Sequence, residues 1–142
     1  MELKLFIDTW GWLTLQDKRE SRHEEATIFY QNFRNRRGMC YTTDYVLDET
    51  FTLLFKRLPF KIAQESLETI DEAIKKRYLI LDYITPGRFE EAKKLRLKFQ
   101  DKPHISFTDF TSMMVMKEAK IAEILTDDDH FIHVGMGFRK VL

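Results

Sequence analysis

Acidic residues occur at four places that are predicted to lie beside the ends of strands. Asp8 directly follows an apolar N-terminal segment, and Asp127, Asp128 and Asp129 follow a later apolar segment. Asp109 falls in the first turn of the helix predicted before that later segment, and Glu49 falls about one and a half turns into an earlier helix. Crossovers in a parallel sheet leave loops and helix N-termini at its carboxyl edge, so we expect these acids to meet there.

Carboxylates gathered in one place favour a particular chemistry. Two such charges about 4 Å apart repel by on the order of 4 kcal/mol at an effective dielectric constant of about 20, so the group either takes up protons or binds a cation. Oxygen ligands without cysteines or clustered histidines suit Mg²⁺ or Mn²⁺, which retain water and bridge to phosphate oxygens. The pattern therefore predicts metal-assisted phosphoryl chemistry, in which the ion activates a water and offsets charge on the phosphate.

Each acid also has an ordinary structural explanation when it is taken alone. Asp8 could cap a turn, and a run of aspartates is common in solvated turns. Asp109 could stabilise its helix by about 0.3 to 1 kcal/mol through a favourable interaction with the helix dipole. Glu49 differs because three of its neighbours on the helix are apolar, so we expect its carboxylate to need a partner. Independent capping roles would give no reason for all of these acids to converge on one edge of a sheet.

Strand-like and helix-like segments alternate along the chain. The predicted strands are residues 3–7, 39–43, 78–84 and 122–125, with a further edge strand at 139–142. The predicted helices are residues 20–37 with Gly38 as the stop, 43 or 44 to 58, 60–77, 86–100, and 106 or 108 to 118. Gly11 is predicted to lie in a turn. The alternation indicates an α/β three-layer sandwich, with a mostly parallel sheet of four or five strands and helices on both faces.

Length and composition favour one domain that spans residues 1–142. A single cysteine excludes an internal disulfide, and no cleavable signal pattern is present, so we expect a cytoplasmic protein. The apolar runs are far shorter than the roughly 20 residues that span a bilayer. Lys plus Arg equals Asp plus Glu at 23 each, which excludes a strong overall basic field for nucleic acid.

Other potentially reactive residues have simpler interpretations. His130 and His133 are predicted to lie in a glycine-containing surface loop rather than a zinc site, and Cys40 is predicted to be a buried apolar residue. Three methionines on the last long helix are expected to pack in the core: Met113, Met114 and Met116. Six cations would meet RNA phosphates only if they rim the acidic crevice: Arg19, Arg22, Lys102, His104, Arg139 and Lys140.

Four stretches of the sequence, taken in order, resemble the PIN-domain ribonucleases, in particular the VapC-like toxins of prokaryotic toxin-antitoxin pairs. The stretches are the opening FIDT, the helix TTDYVLDETFTLL, SFTDF before the Met-rich helix, and LTDDDHF near the end. The resemblance covers essentially the whole chain. It implies a Mg²⁺- or Mn²⁺-dependent endoribonuclease with Asp8, Glu49 and Asp109 as the first three acids.

The resemblance also implies a fourth acid, partners and roles. Asp128 takes the fourth position, with Asp127 as the neighbouring candidate and Thr126 as a hydroxyl contributor. Asp8, Asp109 and Asp128 would hold the metal directly or through water, and Glu49 would orient the water or a second ion. A small antitoxin protein and a homodimer are implied as partners, with RNA as the substrate.

Two alternatives to the nuclease remain open at this point. The first is a PIN-like domain that binds RNA or a protein partner without cutting it, because Trp10 stands where many relatives carry a small polar residue. The second is an unrelated α/β phospho-acceptor module. That module needs adjacent acids after the first strand and an acceptor aspartate after the third, whereas Asp82 lies inside the predicted third strand.

Overall fold

Five parallel strands form the centre of the chain in the computed structural model, which describes residues 2–142. They are β1 (Lys4–Ile7), β2 (Met39–Thr43), β3 (Leu79–Asp82), β4 (Glu123–Leu125) and β5 (Arg139–Lys140). Their order across the sheet is β3-β2-β1-β4-β5, and each neighbouring pair is parallel. The predicted parallel sheet is confirmed with five strands. The phospho-acceptor alternative is wrong, because proteins of that kind have the strand order 2-1-3-4-5.

Helices cover both faces of this sheet. They are α1 (Thr9–Gln16), α2 (His23–Asn35), α3 (Asp44–Arg57), α4 (Phe60–Lys75), α5 (Pro86–Lys98), α6 (Phe107–Ala119) and α7 (His130–His133). The connections from β1 to β3 move one way across the sheet and those from β3 to β5 move the other way, so right-handed crossovers put α1 to α4 on one face and α5 to α7 on the opposite face. The predicted three layers are therefore confirmed. Within residues 2–142, none of the helices is long and apolar enough to cross a bilayer.

Side-chain caps decide where two of the helices begin. The Thr43 hydroxyl accepts a hydrogen bond from the amide three residues on at 3.1 Å, and the Ser106 hydroxyl does the same at 3.0 Å. Thr43 and Ser106 are therefore the caps, rather than Asp44 and Thr108. The Asp44 carboxylate instead accepts a hydrogen bond from the Ile84 amide at 2.8 Å, which ties the end of β3 to the start of α3.

The C-terminus of α2 differs from its predicted form. The helix ends at Asn35, two residues before the predicted end. Arg37, rather than the glycine, adopts the left-handed conformation with a φ of 62°, and the Gly38 amide donates to the Phe33 carbonyl at 3.0 Å. Gly38 is needed for a different reason, because a β-carbon there would collide with the Phe33 ring.

The core is built around β1, which lies between β2 and β4. All of Leu5, Phe6 and Ile7 are completely buried. Cys40 on β2 is also buried, and the α6 methionines pack in or against the core, which confirms both predictions. Ile7 on β1 is paired in register with Leu125 on β4, so the residues after these two strands emerge side by side at the carboxyl edge.

Gly11 lies inside α1, and its predicted placement in a turn is wrong. A β-carbon at this position would lie 2.7 Å from the Leu125 carbonyl oxygen and 2.9 Å from Cγ2 of Ile7. The glycine therefore lets α1 begin directly after β1 and pass close to the end of β4. The sequence signal was real, but it marks a close backbone approach rather than a turn.

We expect Gly11→Ala to lower the free energy of unfolding by about 1 to 3 kcal/mol, because the extra methyl group forces shifts in a packed region. Urea denaturation of the purified protein measures the change. The control is Gly87→Ala on α5, where the nearest atom to an added β-carbon is the Thr85 hydroxyl at 3.9 Å. Equal losses in the two variants would contradict the close-approach explanation.

Candidate active site

A cavity of about 620 Å³ opens at the carboxyl edge of the sheet, next to the ends of β1 and β4. The strand order reverses between these two strands, and ligands of open α/β sheets bind at such a switch point. The cavity wall includes each of the four acids predicted from the sequence: Asp8, Glu49, Asp109 and Asp128. Residues separated by up to 120 positions are thus brought to one place by the fold.

Asp8 is held in the cavity wall by both neighbouring strands. Its amide donates to the Leu125 carbonyl at 3.2 Å, and the Thr126 hydroxyl donates to its carboxylate at 2.9 Å. Although Asp8 stands at the start of α1, its side chain makes no capping hydrogen bond there, so the capping explanation is not supported. The pKa of Asp8 is raised to about 6, mainly by burial and to a smaller extent by the charges of Glu49 and Asp128, while the hydrogen bonds from Thr9 and Thr126 act in the opposite direction.

A hydrogen-bond chain fixes the end of β1 from the other side. The Trp12 indole nitrogen donates to the Thr42 hydroxyl at 3.2 Å, and that hydroxyl donates to the Ile7 carbonyl at 3.1 Å. Trp12 and Thr42 are both buried, so these two hydrogen bonds lie in a region of low dielectric constant, where such bonds are strong. The backbone on which Asp8 sits is therefore anchored to β2 as well as to β4.

Asp109 enters the cavity from the first turn of α6, where Ser106 caps the helix. Its side chain is 11% exposed. Burial raises the pKa of Asp109 to about 8, with further contributions from the charges of Asp8 and Asp128 and from a hydrogen bond with Asp128. When no cation is present, Asp109 is therefore the acid whose ionised form is most destabilised by burial beside the other carboxylates.

The three consecutive aspartates after β4 have different surroundings. The Asp128 amide donates to the Thr126 hydroxyl at 3.1 Å, and its carboxylate accepts from the His130 amide at 2.8 Å, which turns it towards the cavity. Asp129 is 60% exposed and forms an ion pair with Lys140 at 2.6 Å, which lowers the pKa of Asp129. Asp127 is exposed. The geometry therefore favours Asp128 over Asp127 as the fourth acid.

Glu49 reaches the cavity from α3 but does not match one expectation. Its side chain is exposed, so the expected need for a partner in an apolar setting is wrong. The apolar neighbour Val46 is buried against the core, whereas Glu49 lies on the open side of the helix. Its charge still acts on both Asp8 and Asp109.

His130 is a site residue that the sequence analysis missed. The segment predicted to be a surface loop starts with the short helix α7, and the surface interpretation is right for His133 but wrong for His130. The His130 Nδ1 atom lies 3.0 Å from an Asp128 oxygen and 3.5 Å from an Asp109 oxygen. The signal that could have found it is a histidine two residues after Asp128, at the start of a helix.

The donor set of this cavity fits a divalent cation. Ligand atoms of Asp109, Asp128 and His130 lie within 4.8 Å of one another. Among the described residues whose buried hydroxyl lacks a hydrogen-bond partner, Thr9 is the one that lines this cavity. Buried polar groups normally find partners, so this hydroxyl indicates room for a ligand. Together with the raised pKa of Asp8, these features favour a bound cation over uncompensated acids.

Few of the predicted cations line the cavity. His104 does, and Lys102 lines an adjoining cavity together with His130. Arg19 is hydrogen bonded to Asp17, and Arg139 lies beside another cavity lined by residues at the start of β1. Arg57 also lines the cavity, but acidic residues outnumber the basic ones in its wall, so a bound cation would favour the approach of a phosphate.

Arg96 positions the loop that carries His104. Its guanidinium donates to the carbonyls of Phe99, Lys102 and Ile105, each at 2.7 Å. It also lies 4.6 Å from the centroid of the Phe110 ring. One side chain from α5 thus fixes the segment between α5 and α6 against the core.

Comparisons with known proteins agree with this geometry. A family model described as the PIN domain matches residues 5–136. The fold is similar to VapC20 of Mycobacterium tuberculosis, described as a toxin that cleaves the sarcin-ricin loop. The TM-score is 0.78 and the identity 27%, and the alignment covers 96% of this chain and 98% of that chain. No curated protein matches the chain by sequence.

Two further solved structures share the fold at low identity. For VapBC from Salmonella typhimurium bound to DNA, the TM-score is 0.67 and the identity 13%, with 98% of this chain and 97% of that chain covered. For VapBC2 from Rickettsia felis bound to a promoter DNA fragment, the TM-score is 0.71 and the identity 13%, with 98% of each chain covered. At this identity, the two structures establish the likeness of the fold.

We expect Asp109→Asn to stabilise the metal-free protein at pH 8 and to have little effect at about pH 4 or below. The folded chain binds protons at Asp8 and Asp109 more tightly than the unfolded chain, so the free energy of unfolding falls as pH rises from about 4 to about 8. Asparagine mimics the protonated acid and removes that loss, which is on the order of 1.4 kcal/mol for each unit of pKa shift.

Urea denaturation in a chelating buffer at the two pH values measures this effect. The matched control is Asp71→Asn, which removes an exposed carboxylate from α4. A gain for Asp109→Asn that is equal at both pH values, or shared by the control, would contradict charge repulsion in the cavity.

Proposed function

The chain belongs to the PIN domain family, and we propose that it is a Mg²⁺- or Mn²⁺-dependent endoribonuclease that hydrolyses RNA phosphodiester bonds. The observation that carries the proposal is the meeting of Asp8, Glu49, Asp109 and Asp128 in one cavity, where burial and the neighbouring carboxylate charges raise the pKa values of Asp8 and Asp109. Structural carboxylates are seldom gathered in this way, whereas a cation-dependent site requires it.

The acids divide into two groups by burial. Asp8 and Asp109 are buried and Asp128 is half-buried, so these three would hold the ion directly or through water. Glu49 is exposed on the open side, where it would orient the attacking water or a second ion. A bound Mg²⁺ or Mn²⁺ would make a water more acidic and offset charge on the phosphate. His130 would steady Asp109 and Asp128, because imidazole is a poorer ligand than carboxylate for these hard ions.

Besides holding the ion, the chain would need to assist only the proton transfers of hydrolysis. The water oxygen attacks phosphorus, the bond from phosphorus to the leaving ribose oxygen breaks, and that oxygen takes up a proton. In this proposal, Glu49 would accept the proton of the attacking water, and His104, which is also in the cavity wall, would contact the phosphate or the leaving group.

The similarity to a VapC toxin supports a biological role as the toxin of a type II toxin-antitoxin pair. The similarity to VapBC proteins supports a small antitoxin protein as the partner. We also propose a homodimer as the assembly of the toxin. We expect the activity in the cytoplasm, where the RNA is. Because net charge is zero, selectivity would come from a local groove and a defined RNA structure rather than from bulk attraction.

A PIN-like domain that binds RNA or a protein partner without cutting is the second candidate. The observation that favours it is Trp10 in the cavity wall, at a position next to the acids. The presence of all four acids argues against it, because a binding domain gains nothing from their repulsion.

We expect Asp128→Asn to lower the rate of RNA cleavage by a factor of at least about 100, a typical effect of losing a group that acts in hydrolysis. Asp127→Asn should lower the rate much less, because Asp128 rather than Asp127 is held in place by Thr126 and the His130 amide. Gel analysis of labelled structured RNAs incubated with Mn²⁺ measures both. Equal cleavage by the wild type and Asp128→Asn would identify the activity as a contaminant.

We expect millimolar Mn²⁺ or Mg²⁺ to stabilise the folded protein. An ion at about 100 times its dissociation constant adds roughly 2.7 kcal/mol to the free energy of unfolding. Thermal denaturation with the ion and with a chelator measures the shift, and Asp109→Asn should reduce it. A midpoint that the ions do not move would favour the non-catalytic candidate.

A further inference from the structure

Trp10 is an aromatic side chain in the wall of the acidic cavity that the proposed hydrolysis does not use. It follows Asp8 by two residues and lies in the first turn of α1. The residue is half-buried and packs against the core, yet part of it lines the cavity. A large apolar ring therefore stands beside the carboxylates, where solvent reaches it.

The Trp10 ring is supported from behind. The Arg22 guanidinium lies over it, 5.6 Å from the ring centroid. Arg22 is itself held by two hydrogen bonds to the Glu25 carboxylate, each 3.0 Å. Trp10 lines the cavity, whereas Arg22 does not. A ring held in this way loses little conformational freedom when a ligand stacks on it.

The chemistry of the cavity limits what the ring could contact. The acids and their cation are suited to the phosphate, whereas the indole presents an uncharged aromatic surface next to them. The part of an RNA chain that complements such a surface is a nucleobase, and bases stack on aromatic side chains whatever their sequence. Proteins that act on unpaired RNA regions use aromatic rings in this way.

We propose that Trp10 is the stacking platform for an unpaired base next to the phosphodiester that is cleaved. The inference rests on the proposed ribonuclease function and assigns to Trp10 the contact with a base that has left its own stack. A continuous duplex cannot present such a base to the ring. Trp10 would then be a binding residue, and its loss would weaken RNA affinity more than it slows the hydrolytic step.

Binding is measured in the Asp8→Asn background, so that the RNA stays intact. The ligands are a hairpin RNA with a single-stranded loop and a blunt duplex. A further series consists of the same hairpin in which one loop nucleotide at a time is replaced by an abasic nucleotide. Trp10→Leu should bind the hairpin about 5-fold to about 150-fold more weakly, as expected for loss of one stacked base. Trp10→Phe should bind nearly as well as the parent.

One abasic position should weaken binding to the parent by a similar factor and should not weaken binding to Trp10→Leu any further. That coupling identifies the stacked base. Intrinsic fluorescence gives a second readout, because the chain has two tryptophans and Trp12 is only 4% exposed. The hairpin should quench the parent, whereas Trp10→Phe, which retains only the buried Trp12, should show no quenching.

Phe60→Leu is the matched control, because Phe60 is a 71% exposed aromatic residue that does not line the cavity. It should bind as the parent does, and urea midpoints verify that each variant is folded. Hairpin affinity unchanged by Trp10→Leu would overturn the inference and leave Trp10 free to contact a protein partner. The absence of any coupled abasic position would also overturn it.

These experiments distinguish a failure of the nuclease proposal from a failure of the base-stacking proposal. If the wild type cleaves RNA with Mn²⁺ but Trp10→Leu binds normally, the nuclease stands and the stacking platform is wrong. If no RNA is cleaved by the wild type, the nuclease proposal fails. The coupling between Trp10 and the abasic position then supports or overturns base stacking on its own.

Discussion

Mutual repulsion among buried carboxylates is the constraint on which the rest of this structure depends. Asp8 and Asp109 are removed from water, and each feels the charges of Glu49 and Asp128. Without a cation, such an arrangement makes the folded state less stable, and it persists only because the surrounding structure holds it. Buried strands, hydrogen bonds and close packing next to these acids hold them in place.

The supports for the site come from several layers of the fold. The central strand β1, three of whose four residues are completely buried, leads directly into Asp8, and the hydrogen bonds from Trp12 through Thr42 fix the end of that strand. Gly11 brings α1 close to the end of β4, so that one compact junction joins the two strands. Asp109 is carried by a helix whose methionines pack in the core. Preorganisation of this kind suits a site whose groups must not relax away from one another.

Much of this arrangement could be predicted from the sequence, because strong local patterns and the tertiary fold agree. Four short stretches identified the family, and the match over residues 5–136 confirms it. Alternating strand and helix patterns gave the sheet and its layers, and the carboxyl-edge rule placed the acids together before any contact was known.

The errors in prediction have physical causes that local patterns do not contain. Gly11 was assigned to a turn because glycine is permissive, whereas the reason for it is a carbonyl oxygen more than 110 residues away in the sequence. His130 was assigned to the surface because its neighbours are polar and glycine-rich, but its ring meets Asp109 from another element. The exposure of Glu49 depends on how α3 is rotated against the core, which the spacing of apolar residues fixes only approximately.

The run of three aspartates also restricts how this chain can change over evolutionary time. Thr126 anchors the run at its start, and the pairing of Asp129 with Lys140 on the last strand anchors it at its end. Because the three side chains are identical, the gain or loss of one aspartate would otherwise change the chemistry of the loop very little. Because both ends are tied, a one-residue insertion or deletion would separate Asp128 from the Thr126 hydroxyl or Asp129 from Lys140.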